Sequence, residues 1–153
     1  MKFSPCANYL VSVSKDRKLA LFDQDFNLTF SYEAHSRAIN TVAFSPDSKT
    51  IVTGSRDKTI KLHSIEEKKI INEIPVKKQV YSVEFCSNTL LAVGLEEGSI
   101  IFIKEQNGKW EIINKIPDQY GHTEEVTCLK WSKGRLASSS KDNSVRIFNV
   151  REL

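Results

Sequence analysis

Whatever chemistry this chain can do has to come from a short roster of residues. It has three histidines, His35, His63 and His122, and three cysteines, Cys6, Cys86 and Cys128. The stretch SVSKDRKLALF, Ser12 to Phe22, sets Asp16 between Lys15 and Arg17, a grouping that on its own suits a catalytic or phosphate-binding cluster. No histidine pairs with a cysteine or a carboxylate at metal-ligand spacing. There is no glycine-rich phosphate loop and no nucleophile elbow. The carboxylate pairs Glu66-Glu67, Glu96-Glu97 and Glu124-Glu125 fall in polar turns, where solvated surface explains them. We therefore expect a protein without an enzymatic role, with no catalytic, metal or cofactor-binding residues.

The same stretch changes meaning once it is seen again. TGSRDKTIKLH at Thr53–His63 and SSSKDNSVRIF at Ser138–Phe148 repeat its small-small-charged-Asp-charged-apolar phrase, and VGLEEGSIIFI at Val93–Ile103 is a weaker copy. Asp16, Asp57, Glu97 and Asp142 are spaced by 41, 40 and 45 residues. A second marker runs in phase: Phe3, Phe44, Phe85 and Trp131 each close an apolar run, at spacings of 41, 41 and 46. Both place about five extra residues in the last interval. A period of this length decides the architecture before any single residue does.

The elements that position those residues are strands. INTVAFSP is a short strand ended by Ser45, Pro46 and Asp47, which are turn formers. TIVTGS, a tight turn at RDK, TIKLHS, a looser IEEKK and IINEIP follow. Each period therefore holds about four short strands and no helical stripe. AINTVAF and LLAVG are apolar at nearly every position, the pattern of strands covered on both faces by stacked sheets. Four-stranded sheets repeating at this period read as propeller blades.

Composition agrees with a folded domain. Hydrophobic residues make up 40% and charged residues 27% of 153, enough for a sizeable core. No run approaches a membrane span, and MKFSPCANYL lacks the apolar core of a signal peptide. The odd cysteine count, without a C-x-x-C pair, favours a reducing compartment, so we expect a cytoplasmic protein, also present in the nucleus. Cys86 and Cys128, in or beside apolar runs, read as buried free thiols.

With the repeat established, the chain resembles the WD40-repeat β-propeller family over essentially its whole length. His35 in AHSRAI and Gly121-His122 match that family's Gly-His dipeptide. Asp57 and Asp142, with Asp16, match its structural turn aspartate, and Ser12, Thr53 and Ser138 its strand hydroxyl. The resemblance implies blade locks of His35, Thr53 and Asp57, and of His122, Ser138 and Asp142, with Asp16 lacking a histidine partner. The Trp-Asp dipeptide is replaced by Phe22-Asp23, His63-Ser64, Ile103-Lys104 and Phe148-Asn149. The third copy has no histidine and carries Glu97, so it should hold together by packing. The ordered segments SKDRKLALF, AHSRAINTVAFSPDSKTIVTGSRDKTIKL, LLAVGLEEGSI and LASSSKDNSVRIFNV are similar, in that order, to the last blades of the WD-repeat scaffold subunits of a complex that modifies wobble uridines of tRNA. That likeness implies a scaffold in a multiprotein assembly, with at most indirect or weak tRNA contact. A generic adaptor for a peptide or an acidic protein surface is the alternative.

The expected fold class is all-β, with about four blade copies of which two are complete. The divisions are a partial copy at 1–25, copies at 26–68 and 69–109, and a partial copy at 110–153. Closed propellers have about four to eight blades, so we expect the C-terminal part of a larger propeller, with a second copy completing the ring as the alternative. Corresponding turns share a propeller face, where Lys15, Arg17, Lys18, Arg37, Arg56, Lys58, Lys78 and Lys141 would form a candidate partner-binding rim, basic over the first two blades and mixed beyond. Charged turns also serve solubility.

Overall fold

Short runs of β-branched and aromatic residues bounded by turn formers make every long element of this chain a strand. The computed structural model describes residues 1–150. Among them are four antiparallel sheets. The first is β1 (Lys2–Phe3), β2 (Tyr9–Val13), β3 (Lys18–Asp23) and β4 (Leu28–Glu33). The second is β5 (Ile39–Phe44), β6 (Thr50–Ser55), β7 (Thr59–Ser64) and β8 (Lys69–Pro75). The third is β9 (Val80–Ser87), β10 (Leu90–Leu95), β11 (Ile100–Gln106) and β12 (Lys109–Lys115). The fourth is β13 (Val126–Ser132), β14 (Arg135–Ser140) and β15 (Val145–Asn149). Among the described residues no helix is long and apolar enough to cross a membrane.

Each sheet is a simple meander, and consecutive sheets stack through three apolar interfaces. Val11, Leu19 and Leu21 of the first sheet meet Val42, Phe44 and Ile51 of the second. Val52, Ile60 and Leu62 of the second meet Phe85, Leu91 and Ile103 of the third. Ala92, Ile100 and Phe102 of the third meet Val126, Leu129 and Leu136 of the fourth. An inner strand such as β6 therefore buries both of its faces, one against each neighbouring sheet. Burying one such Val, Leu or Ile side chain contributes roughly 1.5–3 kcal/mol, which makes the stacking, rather than any one sheet, the main source of stability.

The turn between the second and third strands explains the repeated phrase. Arg17, Lys58, Gly98 and Asn143, at its third position, all have positive φ, at 74°, 66°, 85° and 62°. Three of these residues carry a Cβ and so resist that conformation. In those turns the aspartate compensates, because Asp16, Asp57 and Asp142 each accept the N–H two residues on, from Lys18, Thr59 and Ser144. The third turn uses glycine instead, and a Cβ at Gly98 would lie 2.0 Å from the His122 carbonyl oxygen.

The first sheet's first strand is cut to two residues and the fourth sheet has three strands, so the second and third sheets are the two complete copies among the described residues. Other details depart from the sequence reading. The hydrogen-bonded sheets are offset from the divisions at 25, 68 and 109, which fall at or beside the turn before each sheet's fourth strand. Cys128 is exposed on β13 rather than buried. Cys86 is half-buried, and burial pushes its thiol up to about 12. The extra residues of the last interval form the link between β12 and β13, which includes a 3₁₀ turn at Asp118–Tyr120. Arg151 to Leu153, the end of the copy expected at 110–153, lie outside the described residues.

Candidate interaction face

The turns after β2, β6, β10 and β14 and the loops entering β5, β9 and β13 lie on one face, tied together by backbone bonds. Arg56 N–H donates to Ala38, Glu96 N–H to Gln79 and Lys141 N–H to Glu125. Beneath this face sit the histidine networks.

In the second sheet the Asp57 carboxylate accepts from His35 Nδ1 at 2.9 Å, Ser36 N–H at 3.0 Å and Thr59 Oγ1 at 2.6 Å. His35 Nε2 lies 2.7 Å from Thr53 Oγ1, which lies 2.8 Å from His63 Nε2. His63 Nδ1 lies 2.7 Å from the Tyr32 hydroxyl, on β4 of the neighbouring sheet. With both imidazoles neutral, one proton order satisfies every atom. Tyr32 donates to His63, His63 to Thr53, Thr53 to His35 and His35 to Asp57. Burial holds His35 below its ordinary value and His63 down at about 3, keeping both neutral. Burial pushes the Asp57 carboxyl up, but the Thr59 hydroxyl, His35 and the Ser36 N–H outweigh it and hold it at about 2.

The fourth sheet repeats the core of this arrangement. His122 Nδ1 lies 2.9 Å from Asp142, and His122 Nε2 lies 2.7 Å from Ser138. The Ser144 hydroxyl, 2.6 Å from Asp142, and the Thr123 N–H hold that carboxyl below the usual range. Phe148 takes the place of His63, so the chain of bonds ends at Ser138. In the third sheet Val93 and Ile103 replace Thr53 and His63 and are fully buried. Glu97 there faces outward to Lys78, 3.0 Å away. In the first sheet Asp16 is exposed and only shapes its turn. Tyr32, Thr59 and Ser144 were not legible as partners in the sequence. For Tyr32 a signal existed, since the alternation of LTFSYE puts Phe30 and Tyr32 on the face packed against the second sheet.

All eight residues of the predicted rim are exposed, but the structure divides them. Arg17 pairs with Glu33 at 3.3 Å, Lys78 with Glu97 and Lys141 with Glu125. Arg56 donates to Asn40 Oδ1 at 3.3 Å. Lys141 and the Tyr81 hydroxyl draw the Glu125 carboxyl below its ordinary value. Among the described residues Lys15, Lys18, Arg37 and Lys58 form no ion pair, and they lie over the first and second sheets. The rim is thus cationic at one end, while Glu96, Glu124 and the ion pairs of Glu97 and Glu125 balance the other. Among the described residues no group of three or more His, Cys, Asp or Glu is arranged to hold a metal.

Comparison with known proteins fits this geometry. The family model described as WD domain, G-beta repeat matches residues 26–64 and 113–149. Elongator complex protein 2 of Saccharomyces cerevisiae is 30% identical over 98% of this chain and 22% of its own length. Elongator complex protein 2 of Schizosaccharomyces pombe is 30% identical over 98% of this chain and 23% of its own. The chain therefore spans under a quarter of the length of these relatives. A solved chain in a crystal structure of the mitotic checkpoint complex superposes on 98% of this chain and 50% of its own, with a TM-score of 0.86 at 18% identity, a likeness of fold.

Proposed function

This chain belongs to the WD40-repeat family, and from that premise we propose that it is a non-enzymatic scaffold subunit of an Elongator-type complex, serving tRNA wobble-uridine modification through the assembly it helps to build. The observation that carries the reading is the similarity, spread over nearly the whole chain, to Elongator complex protein 2 of two yeasts. The site chemistry supports it. His35, Asp57, His122 and Asp142 spend their hydrogen-bonding capacity on one another and on neighbouring strands, leaving none aimed at a substrate. The face above them offers charge, and its unpaired cations Lys15, Arg37 and Lys58 suit an acidic protein surface. The setting is the cytoplasm, with the nucleus as a second site.

The test is affinity purification of the tagged chain from its own cells, followed by mass spectrometry. Elongator subunits should co-purify. Recovery of unrelated proteins alone would leave a generic WD40 adaptor in their place. Reversal of Lys15, Arg37 and Lys58 to Glu should reduce that co-purification while the purified variant keeps its melting temperature. Direct tRNA binding by the wild-type chain, with a salt slope that falls in the reversed variant, would instead assign the cations to phosphate.

A further inference from the structure

Of the nine asparagines in the chain, only Asn107 is followed by glycine. The pair forms the two-residue turn between β11 and β12, where Gln106 stands opposite Lys109 and Glu105 opposite Trp110. Both residues have positive φ, 54° and 80°, the backbone of a tight hairpin turn that Asn-Gly suits. Both are exposed, and beyond the chain neighbours no atom lies within 4 Å of where a Cβ on Gly108 would stand. Among the described residues the Asn107 side-chain amide has no hydrogen-bond partner, whereas those of Asn27, Asn40 and Asn88 are engaged by Asp23, Val80 and Asp47. The turn does hold one side-chain bond, in which Gly108 N–H donates to Glu105 Oε1 at 2.5 Å.

A free asparagine amide beside a residue without a side chain is open to a reaction that needs no enzyme. The Gly108 nitrogen gives up its proton and attacks Asn107 Cγ. The new C–N bond closes a five-membered succinimide, and the Asn107 amide nitrogen leaves as ammonia with that proton. Water then adds to one of the two ring carbonyls. Opening at the side-chain carbonyl gives aspartate, and opening at the backbone carbonyl gives isoaspartate, whose backbone is one carbon longer. One water is consumed, one ammonia is released, and nothing is oxidised or reduced.

We infer that Asn107-Gly108 is a spontaneous deamidation site held in check by Glu105. The nitrogen attacks only after losing its proton, and the carboxylate both holds that proton in place and opposes negative charge on the nitrogen. Asn143, in a turn and at positive φ as well, shows a closed arrangement, because the N–H and hydroxyl of the next residue, Ser144, are fixed on Asp142. The two products act differently. Aspartate keeps the turn, since Asp-Gly suits it as Asn-Gly does, and adds a negative charge beside Glu105. Isoaspartate lengthens a turn that has room for two residues, and so breaks the register of Glu105 with Trp110. Trp110 packs against the core shared by the second and third sheets, and the third sheet has no histidine network to hold its outer strand. The modification is a one-way loosening of β12.

The purified chain, incubated at about 37 °C and pH about 8, should release ammonia and gain about one dalton on the peptide that holds Asn107. Enzymatic carboxyl methylation specific for isoaspartate should label that same peptide, and tryptophan emission should shift as the label accumulates. Glu105→Ala should speed the reaction about tenfold, the scale of losing one hydrogen bond to a charged group. Asn107→Gln should slow it by at least about tenfold, because the longer side chain must close a six-membered ring. Modification spread over the other asparagines, or an Asn107 peptide that stays unmodified, would overturn the site. A Glu105→Ala rate equal to the wild-type rate would overturn the restraint. Mapping the product on the wild-type chain decides the site even if Glu105→Ala fails to fold.

Discussion

The second and third sheets share a strand count, a strand order and a turn position, yet they hold together by opposite means. The second buries Thr53, His35 and His63 and gives each a partner, ending on the Asp57 carboxylate. The third buries Val93 and Ile103 at the equivalent strand positions and keeps its turn acid, Glu97, outside. The fourth sheet stands between them, keeping His122, Ser138 and Asp142 but placing Phe148 where the second sheet has His63. Removing only His35 from the second sheet's network would strand a hydroxyl and a second imidazole away from water, a cost the fourth sheet does not carry because Phe148 ends its chain of bonds at Ser138. What the contrast teaches is that the repeat conserves a place for cohesion and leaves its chemistry open.

The comparison breaks most clearly at Thr53. Thr53→Val, the residue that the third sheet uses, removes the bridge between two buried imidazoles and should cost about 3 kcal/mol in urea unfolding. A loss below about 1 kcal/mol would mean that packing holds both sheets alike.

Acidification comes next, and its sign follows from burial. An unfolded histidine takes a proton near 6.5, whereas folded His63 holds out to about 3. Between those values the unfolded chain binds more protons, so stability is complete above about 6.5 and falls as pH drops. At pH 5 the loss from His63 should be about 2 kcal/mol. Asp57, held at about 2, adds a further loss only below the ordinary carboxylate value. His63→Phe, matching Phe148 of the fourth sheet, should flatten the slope above pH 4 while lowering stability at pH 7. An unchanged slope would assign the acid sensitivity elsewhere.

Smaller effects sharpen the contrast. Tyr32→Phe leaves His63 Nδ1 without its donor and should cost about 1 kcal/mol, measured as a shift in the urea midpoint. Lys78→Ala removes an ion pair whose two side chains are each nearly half exposed, and should change stability by less than about 0.5 kcal/mol.

Much of this was legible in the residues. The spacing of Asp16, Asp57, Glu97 and Asp142 locates four turns, and the alternation and turn formers locate the strands between them. His35 could be matched to Thr53 and Asp57 because a family pattern supplies the pairing across 18 and 22 residues. Tyr32 could not be matched to His63, since their contact crosses from one sheet to the next and no spacing encodes it. The rim was legible as a set of charges and not as a surface. Arg17, Lys78 and Lys141 find Glu33, Glu97 and Glu125 only once the loops are brought side by side.

Residue order alone determines the period, the strands and the turn aspartates, because these depend on φ/ψ preference and on side chains a few residues apart. Only the stacking of sheets decides which polar groups are sealed from water and which cations keep their charge free. The reason is that burial and desolvation belong to surfaces in contact, and in this molecule those surfaces are contributed by segments about forty residues apart.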